Sequence, residues 1–341
     1  MRAVGYQEPG SIEREDALLD VELPKPEPTG RDILVAVKAI SVNPADTKIR
    51  MKARPEAGHW RILGWDAAGV VEAVGPDAKL FKPSDEVFYA GAVGRPGTYA
   101  EFHLVDERIV GHKPKSIGWS QAAALPLTAL TAWEMLFDRL DVKKPVAGAA
   151  PAILIIGGAG GVGSIAVQLA RQLTDLTVIG TASRPETQSW VTELGAHYAV
   201  DHNKPLAAEV AELGIGEPGF VFSTTQTTSH IAEIVKLIAP QGRFGLIDDP
   251  EMLNAVPFKS KSVSIHWELM FTRSIFQTAD IDAQGKILNE VARLVDTGML
   301  RSTLAEQLGS INAANLRKAH ALIESGRAKG KVVLEGFGAG Q

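Results

Sequence analysis

ILIIGGAGGVGSIAVQLAR, residues 153–171, decides the fold. Ile153–Ile156 is a bare apolar run, the pattern of a strand buried on both faces of a parallel sheet. Glycines follow at 157, 158, 160, 161 and 163, and then Val162, Ile165, Ala166, Leu169 and Leu173 recur at helical spacing. A pyrophosphate must approach backbone N–H groups closely, which a Cβ would prevent, and the start of a helix then holds the anion. A glycine run alone says little; a strand before it, a helix after it and a second strand about 20 residues on make it specific. Gly157, Gly158, Ala159, Gly160, Gly161, Val162 and Gly163 are therefore expected to touch a dinucleotide.

Outward from that turn, strand and helix alternate. Thr177–Gly180, a helix around Glu186–Leu194, Tyr198–Val200, Phe220–Phe222, a helix around Ser229–Leu237 and Arg243–Ile247 follow with short connections. That rhythm predicts a doubly wound α/β sheet. Upstream, Ile33–Ile40, Ala67–Gly75, Glu86–Ala90 and Tyr99–Val105 read as short strands between Gly- and Pro-rich joints, which suggests a small barrel or sandwich. The helix-rich stretch SQAAALPLTALTAWEMLFDRL marks the change near residue 120. After His266 the alternation stops. A helix with Ile287, Leu288, Val291, Leu294 and Val295 on one face comes next, then a helix near Asn312–Ser325 capped by Ser310 or Asn312, then a strand at Lys331–Leu334. The α/β sheet already has enough strands, so this tail is expected to join the first unit. The predicted division is 1–125 with 267–341, and 126–266.

At 341 residues the chain has room for roughly two domains. Lys and Arg number 35 against 40 Asp and Glu, so no basic excess marks a nucleic-acid or membrane surface. Lys48, Arg50, Lys52 and Arg54 alternate, with Arg61 beyond; without interleaved aromatics they read as a solvated loop rather than a nucleic-acid patch. The apolar stretch 145–170 is interrupted by glycines, and no apolar core follows Arg2, so neither a span nor a secretory signal is expected. A cytoplasmic location is the expectation. The chain has no cysteine, which excludes disulfides, thiol nucleophiles and zinc held by sulfur.

The second strand of the α/β unit decides the cofactor. A site for NAD places Asp or Glu at its end, on the ribose hydroxyls, and that charge repels a 2′-phosphate. Here the sequence reads TVIGTASRPET: Thr181, Ala182 and Ser183 stand where the acid would be, and Arg184 follows. A hydroxyl and a guanidinium suit a phosphate, which points to NADP(H). Thr224 and Ile247 end sheet strands, where ligands collect, and join the expected cofactor contacts.

These residues carry a family resemblance along nearly the whole chain. SVNPADTKIR (41–50), GWDAAGVVEAVG (64–75), GTYAEF (97–102), AALPLTALTAWEML (123–136), AGGVG (159–163), TASRPET (181–187) and GKVVLEG (330–336) resemble the medium-chain dehydrogenase/reductases, in their zinc-free quinone oxidoreductase branch. The resemblance implies a GroES-like β-barrel catalytic domain built from both chain ends, a Rossmann domain between them, and a homodimer. It also aligns the three catalytic-zinc ligand positions with Asn43, Trp65 and Leu127, none of which is a thiolate, imidazole or carboxylate. Asp46 and Asp66 lie nearby and are expected to brace loops by accepting backbone N–H bonds. No catalytic metal is expected.

Without a Lewis acid to stabilise an alkoxide, hydride transfer to a quinone or an α,β-unsaturated carbonyl is the easier reaction. The resemblance implies catalytic roles for three residues. Asn43 donates its amide to the acceptor oxygen, or is only the turn residue before Pro44. Thr131 sits beside the nicotinamide, or in the core. Trp65 shapes the pocket wall, or is packing. It also places Lys331 on the cofactor's pyrophosphate. Tyr99 and His266 are expected to be structural. Two other readings stay open: a non-catalytic NADPH-binding sensor or scaffold, and an enoyl-thioester reductase.

Overall fold

The computed structural model describes residues 1–338. They form two compact units: residues 1–130 with those from 271 onward, and Thr131–Met270.

Thr131–Met270 contains six parallel strands. Their spatial order is Tyr198–Val200, Thr177–Thr181, Ala150–Ile156, Pro218–Ser223, Arg243–Leu246 and Ser264–Trp267. The sequence runs outward from Ala150–Ile156 in both directions, so the order reverses at that strand, where such sheets bind ligands. Leu154, Ile156, Ile179, Val221, Phe244 and Leu246 fill the space under the helices and are fully buried. Each is worth about 1.5–3 kcal/mol of apolar burial, which is why these strands read as unbroken apolar runs. Ser264–Trp267 and the helix Leu206–Glu212 escaped the sequence reading: each is short, and His266 and several alanines blur its period.

The other unit is built around one long strand, Asp32–Val42, bonded to three partners. Phe102–Asp106 pairs with its first half, Lys331–Glu335 with its second, and Ala67–Val74 runs along the other side. Glu86–Tyr89, Val110–His112 and Leu304–Gln307 complete seven strands. The outcome is the GroES-like barrel with the Rossmann sheet as a separate unit. A smaller sheet, Leu19–Glu22, Arg2–Tyr6 and Arg61–Ile62, was not legible in the sequence.

At the end of the long strand, Asn43 leads into the helix Pro44–Lys52. Pro44 fits the first helical position, and the Asp46 carboxylate accepts from the Asn43 N–H at 2.9 Å. The basic run expected in a solvated loop therefore lies mostly on this helix. Arg50 is fully buried and pairs with Glu324, at the end of the helix Ala313–Glu324, while Arg54 pairs with Glu8. A charge on a helix face turned inward must be neutralised, and Glu324 does that. Asn312 caps the Ala313–Glu324 helix by accepting from Asn315 N–H at 2.9 Å.

Candidate active site

Three segments of the barrel converge on Asp66. The pair Val42↔Val332 puts Asn43 and Lys331 next to each other on adjoining strands, and Ile40↔Ala67 brings Asp66 beside Ser41. Asp66 Oδ2 accepts from Asn43 Nδ2 at 2.8 Å and from Lys331 Nζ at 3.0 Å. Asp66 Oδ1 accepts from Leu127 N–H at 2.7 Å, at the start of the helix Pro126–Trp133. Lys331 Nζ also donates to Asn43 Oδ1 and, at 3.3 Å, to Val42 O. Burial raises the Asp66 carboxyl above its ordinary range, and Lys331, Asn43 and Leu127 offset only part of that rise.

A second carboxylate continues the network. Tyr99 OH donates to Asp46 Oδ2 at 2.8 Å and lies 3.2 Å from His320 Nε2. Burial pushes Asp46 up to about 7 and holds His320 down to about 3, the latter helped by Arg50. His320 lies on the inward face of its helix with Leu316 and Ala319, the one signal that could have found it. Both aspartates brace backbone N–H groups, as read.

Two of the expected site residues are already engaged within the barrel. Asn43 was to offer its amide N–H to an acceptor; Nδ2 is instead spent on Asp66 and, at 3.4 Å, on Ser41 O, and the residue is 1% exposed. Lys331 was to meet a pyrophosphate; it is 2% exposed, and its three donors go to Asp66, Asn43 and Val42. A buried carboxylate needs that cation more than a solvated phosphate does. Trp65 is buried, edge-on to Phe271 at 6.1 Å between ring centres, and its Nε1 has no partner. Thr131 is buried in the other unit, on the helix that begins beside Leu127.

The zinc implied by the family does not fit these residues. Asn43, Trp65 and Leu127 offer no soft donor, and both oxygens of Asp66 are already engaged by N–H donors. Among the described residues no three His, Cys, Asp or Glu side chains gather as metal donors.

The Rossmann unit presents the phosphate turn. Gly157 has φ +79°, and a Cβ on it would meet Thr224 Oγ1 at 2.4 Å; a Cβ on Gly163 would lie 2.1 Å from Gly157 O. These two glycines are thus required by the turn itself, before any ligand arrives. Gly157 N–H donates to Thr181 Oγ1 at 3.0 Å, and Gly158 N–H to Thr181 O at 3.1 Å, tying the turn to the neighbouring strand. The helix Gly161–Leu173 starts there, and its first-turn N–H groups have no acceptor within the helix. Ala159, Gly160, Gly161 and Val162 are half-buried rather than sealed. Thr224 packs on the turn and donates to Ile156 O at 2.8 Å; Ile247 lies half-buried at the end of its strand. Ser183 and Arg184 follow the strand Thr177–Thr181, and Arg184 immediately precedes the helix Pro185–Glu193. His266, bonded to Ser264 Oγ at 2.9 Å, has a structural partner.

Comparison with known proteins agrees with this geometry. Residues 29–115 match the alcohol dehydrogenase GroES-like domain, and residues 194–334 match the zinc-binding dehydrogenase family. A zinc-type alcohol dehydrogenase-like protein of Staphylococcus aureus is 38% identical over 338 residues, covering 98% of this chain and 99% of its own. The chain belongs to the medium-chain dehydrogenase/reductase superfamily. A crystal structure from Rhizobium etli, described as a zinc-dependent alcohol dehydrogenase protein, is 67% identical with a TM-score of 0.98, covering 99% of both chains. The quinone oxidoreductase of Coxiella burnetii is 26% identical, TM-score 0.80, covering 98% of this chain and 99% of its own. Membership makes the protein an oxidoreductase, and among the described residues no helix is long and apolar enough to cross a membrane.

Proposed function

We propose that this superfamily member takes a hydride from NADPH and delivers it to a quinone or an α,β-unsaturated carbonyl, with no metal in the step. The observation that carries the cofactor assignment is the end of the strand Thr177–Thr181. Ser183 and Arg184 stand there in place of an acid, at the start of a helix whose dipole adds to the attraction for a 2′-phosphate. The turn 157–163 takes the pyrophosphate, with Thr224 and Ile247 beside it.

The acceptor class follows from the donor set. An alcohol needs its alkoxide stabilised as hydride leaves, and Asn43, Trp65 and Leu127 cannot hold the Lewis acid that usually does so. A quinone or enone accepts the hydride at carbon; its oxygen takes the charge and then a proton from solvent, while NADPH becomes NADP⁺. Within the Rossmann unit, Thr131 orients the nicotinamide. The quinone oxidoreductase named above supports the same acceptor class.

Turnover is to be measured with NADPH and with NADH over a panel of quinones and enones, before and after chelation. NADPH-preferring turnover that survives chelation is expected. Loss of turnover on chelation, or a preference for NADH, overturns the reading.

A further inference from the structure

We propose that a groove on the barrel unit, between the loop 91–97 and the helix Thr272–Phe276, holds an aliphatic tail of the acceptor. The substrate class is then narrower than quinones and enones at large: it is those that carry such a chain. The inference rests on the reductase reading above and on Trp65 as a wall of the acceptor pocket. Three observations carry it.

The first is the surface. Strand alternation along Phe102–Asp106 buries His103 and Val105 and leaves Leu104 half-buried on the outer face. Leu104, Ala92, Ile109, Ile275 and Ile281 line a cavity of about 360 Å³ there. Ile275, on the helix Thr272–Phe276, is 44% exposed, so the barrel unit leaves part of this apolar lining uncovered. The volume falls in the range of about 300–1,000 Å³ usual for small-molecule sites. A stable protein partner buries about 1,200–2,000 Å² over a broad face, whereas a cleft of this size suits a slender ligand.

The second is charge. All four polar side chains of the lining are already engaged. Arg95 forks onto Asp32 with two bonds of 2.8 Å, and Asp106 Oδ2 accepts from Arg108 Nη2 at 2.6 Å. Gln277 Oε1 accepts from Arg108 at 2.9 Å, and its Nε2 donates to Ser274 O at 3.0 Å. Ser274 Oγ donates to Phe271 O at 3.0 Å. A charged or strongly hydrogen-bonding ligand would have to break one of these pairs. A hydrocarbon chain breaks none and gains by leaving water.

The third is continuity. Gly91 opens the loop with φ +77°, and a Cβ built on it would lie 3.9 Å from Trp65 Cδ1. Phe271, immediately before the helix, packs edge-on to Trp65 at 6.1 Å. Both walls of the groove therefore spring from Trp65. The register then carries the groove away from it, because Ala67 pairs with Ile40 and Asp106 with Asp32, at opposite ends of the long strand. A head held at Trp65 sends its tail along Leu104 toward Gln277.

The test uses the wild-type protein and its variants Ile275→Glu and Leu104→Glu. NADPH turnover is measured with 2-methyl- and 2-decyl-1,4-benzoquinone, and 1-octanol is titrated calorimetrically without cofactor. A methylene drawn from water is worth about fourfold in affinity. The wild type is therefore expected to favour the decyl quinone by about tenfold or more in kcat/KM, through KM. Both variants are expected to pull that ratio toward one and to weaken 1-octanol binding by about tenfold or more. Equal kcat/KM for the two quinones overturns the proposal, as does a ratio that both variants leave in place. Octanol that does not bind, or binds the variants as well as the wild type, overturns it too. Should Leu104→Glu fail to fold, Ile275→Glu, at an exposed position, decides alone. Absent turnover with every quinone sinks the reductase reading, and the octanol titration then still decides whether the groove takes an aliphatic chain.

Discussion

The hydroxyl of Tyr99 lies 2.8 Å from Asp46 Oδ2, with both residues sealed from water. A phenol has one proton, and giving it to the carboxylate leaves the Tyr99 oxygen to accept from His320 Nε2, 3.2 Å away. His320, held neutral by burial, is therefore the Nε2–H tautomer, with its unpartnered Nδ1 bare. One tyrosine thus joins the helix Pro44–Lys52 to the helix Ala313–Glu324.

Tyr99→Phe strands the His320 N–H and takes one of two donors from Asp46 Oδ2. A buried polar group left without its partner costs about 1–3 kcal/mol, so the unfolding free energy from urea titration should fall by that much, read as a lower midpoint with the slope unchanged. An unchanged midpoint would show that the hydroxyl bond contributes nothing net.

Asp46 also sets a pH dependence. Burial raises its carboxyl from 3.8 to about 7, against the opposing pull of the Asn43 N–H, Tyr99 OH and Lys331. The folded protein then holds a proton that the unfolded chain has released, so this contribution is complete below 3.8 and is lost as pH rises through about 7. Asp46→Asn should flatten that part of the stability–pH curve, read as Tm across the window. An unchanged curve would assign the slope to another group.

The phosphate turn was legible because its signals are local: an apolar strand, glycines and a helical period within 153–171. Gly163 shows why the motif is so explicit, since its own backbone neighbour, Gly157 O, forbids a side chain. The Asp66 cluster is the opposite case. Asn43, Asp66, Leu127 and Lys331 lie in four separate segments, and the pairing of Asp32–Val42 with Ala67–Val74 and Lys331–Glu335 is what brings Asn43, Asp66 and Lys331 together. Lys331 was placed on a pyrophosphate by the resemblance, and Arg50 was read as solvated because Glu324, its counter-charge, is 274 residues away. Burial of a charge is a long-range property, and a local pattern carries no trace of it.

Arg184 carries the cofactor assignment and is readily tested. It pairs with Glu186 at 3.1 Å, on side chains 42% and 58% exposed, an ion pair worth at most about 1 kcal/mol. A 2′-phosphate, with more charge and room for a fork, should draw the guanidinium away. Arg184→Ala is expected to raise the KM for NADPH by about tenfold or more, roughly 1.4 kcal/mol, and to leave that for NADH unchanged. Equal effects on both cofactors would mean the arginine only supports the helix Pro185–Glu193.

A carboxyl pair in the Rossmann unit gives the last prediction. Glu134 opens a wide π-helical turn, Glu134–Arg139, and Glu268 follows the edge strand Ser264–Trp267. Both glutamates are buried, and Arg139 Nε donates to Glu268 Oε2 at 2.7 Å. Burial and then the neighbouring Glu134 raise the Glu268 carboxyl well above its ordinary 4.5, and Arg139 offsets only part of this. One cation cannot serve two buried anions, so Glu268 keeps its proton near neutrality. The sign follows from linkage. A raised folded-state pKa means stability is greatest below 4.5 and drains away as pH climbs past neutrality. Glu268→Gln keeps the shape and the neutral charge without the titration. On the alkaline side the variant should therefore unfold at a higher temperature than the wild type, and the two should converge in acid. If the wild type is the more stable at alkaline pH, Glu268 is ionised in the folded protein and Arg139 neutralises it after all.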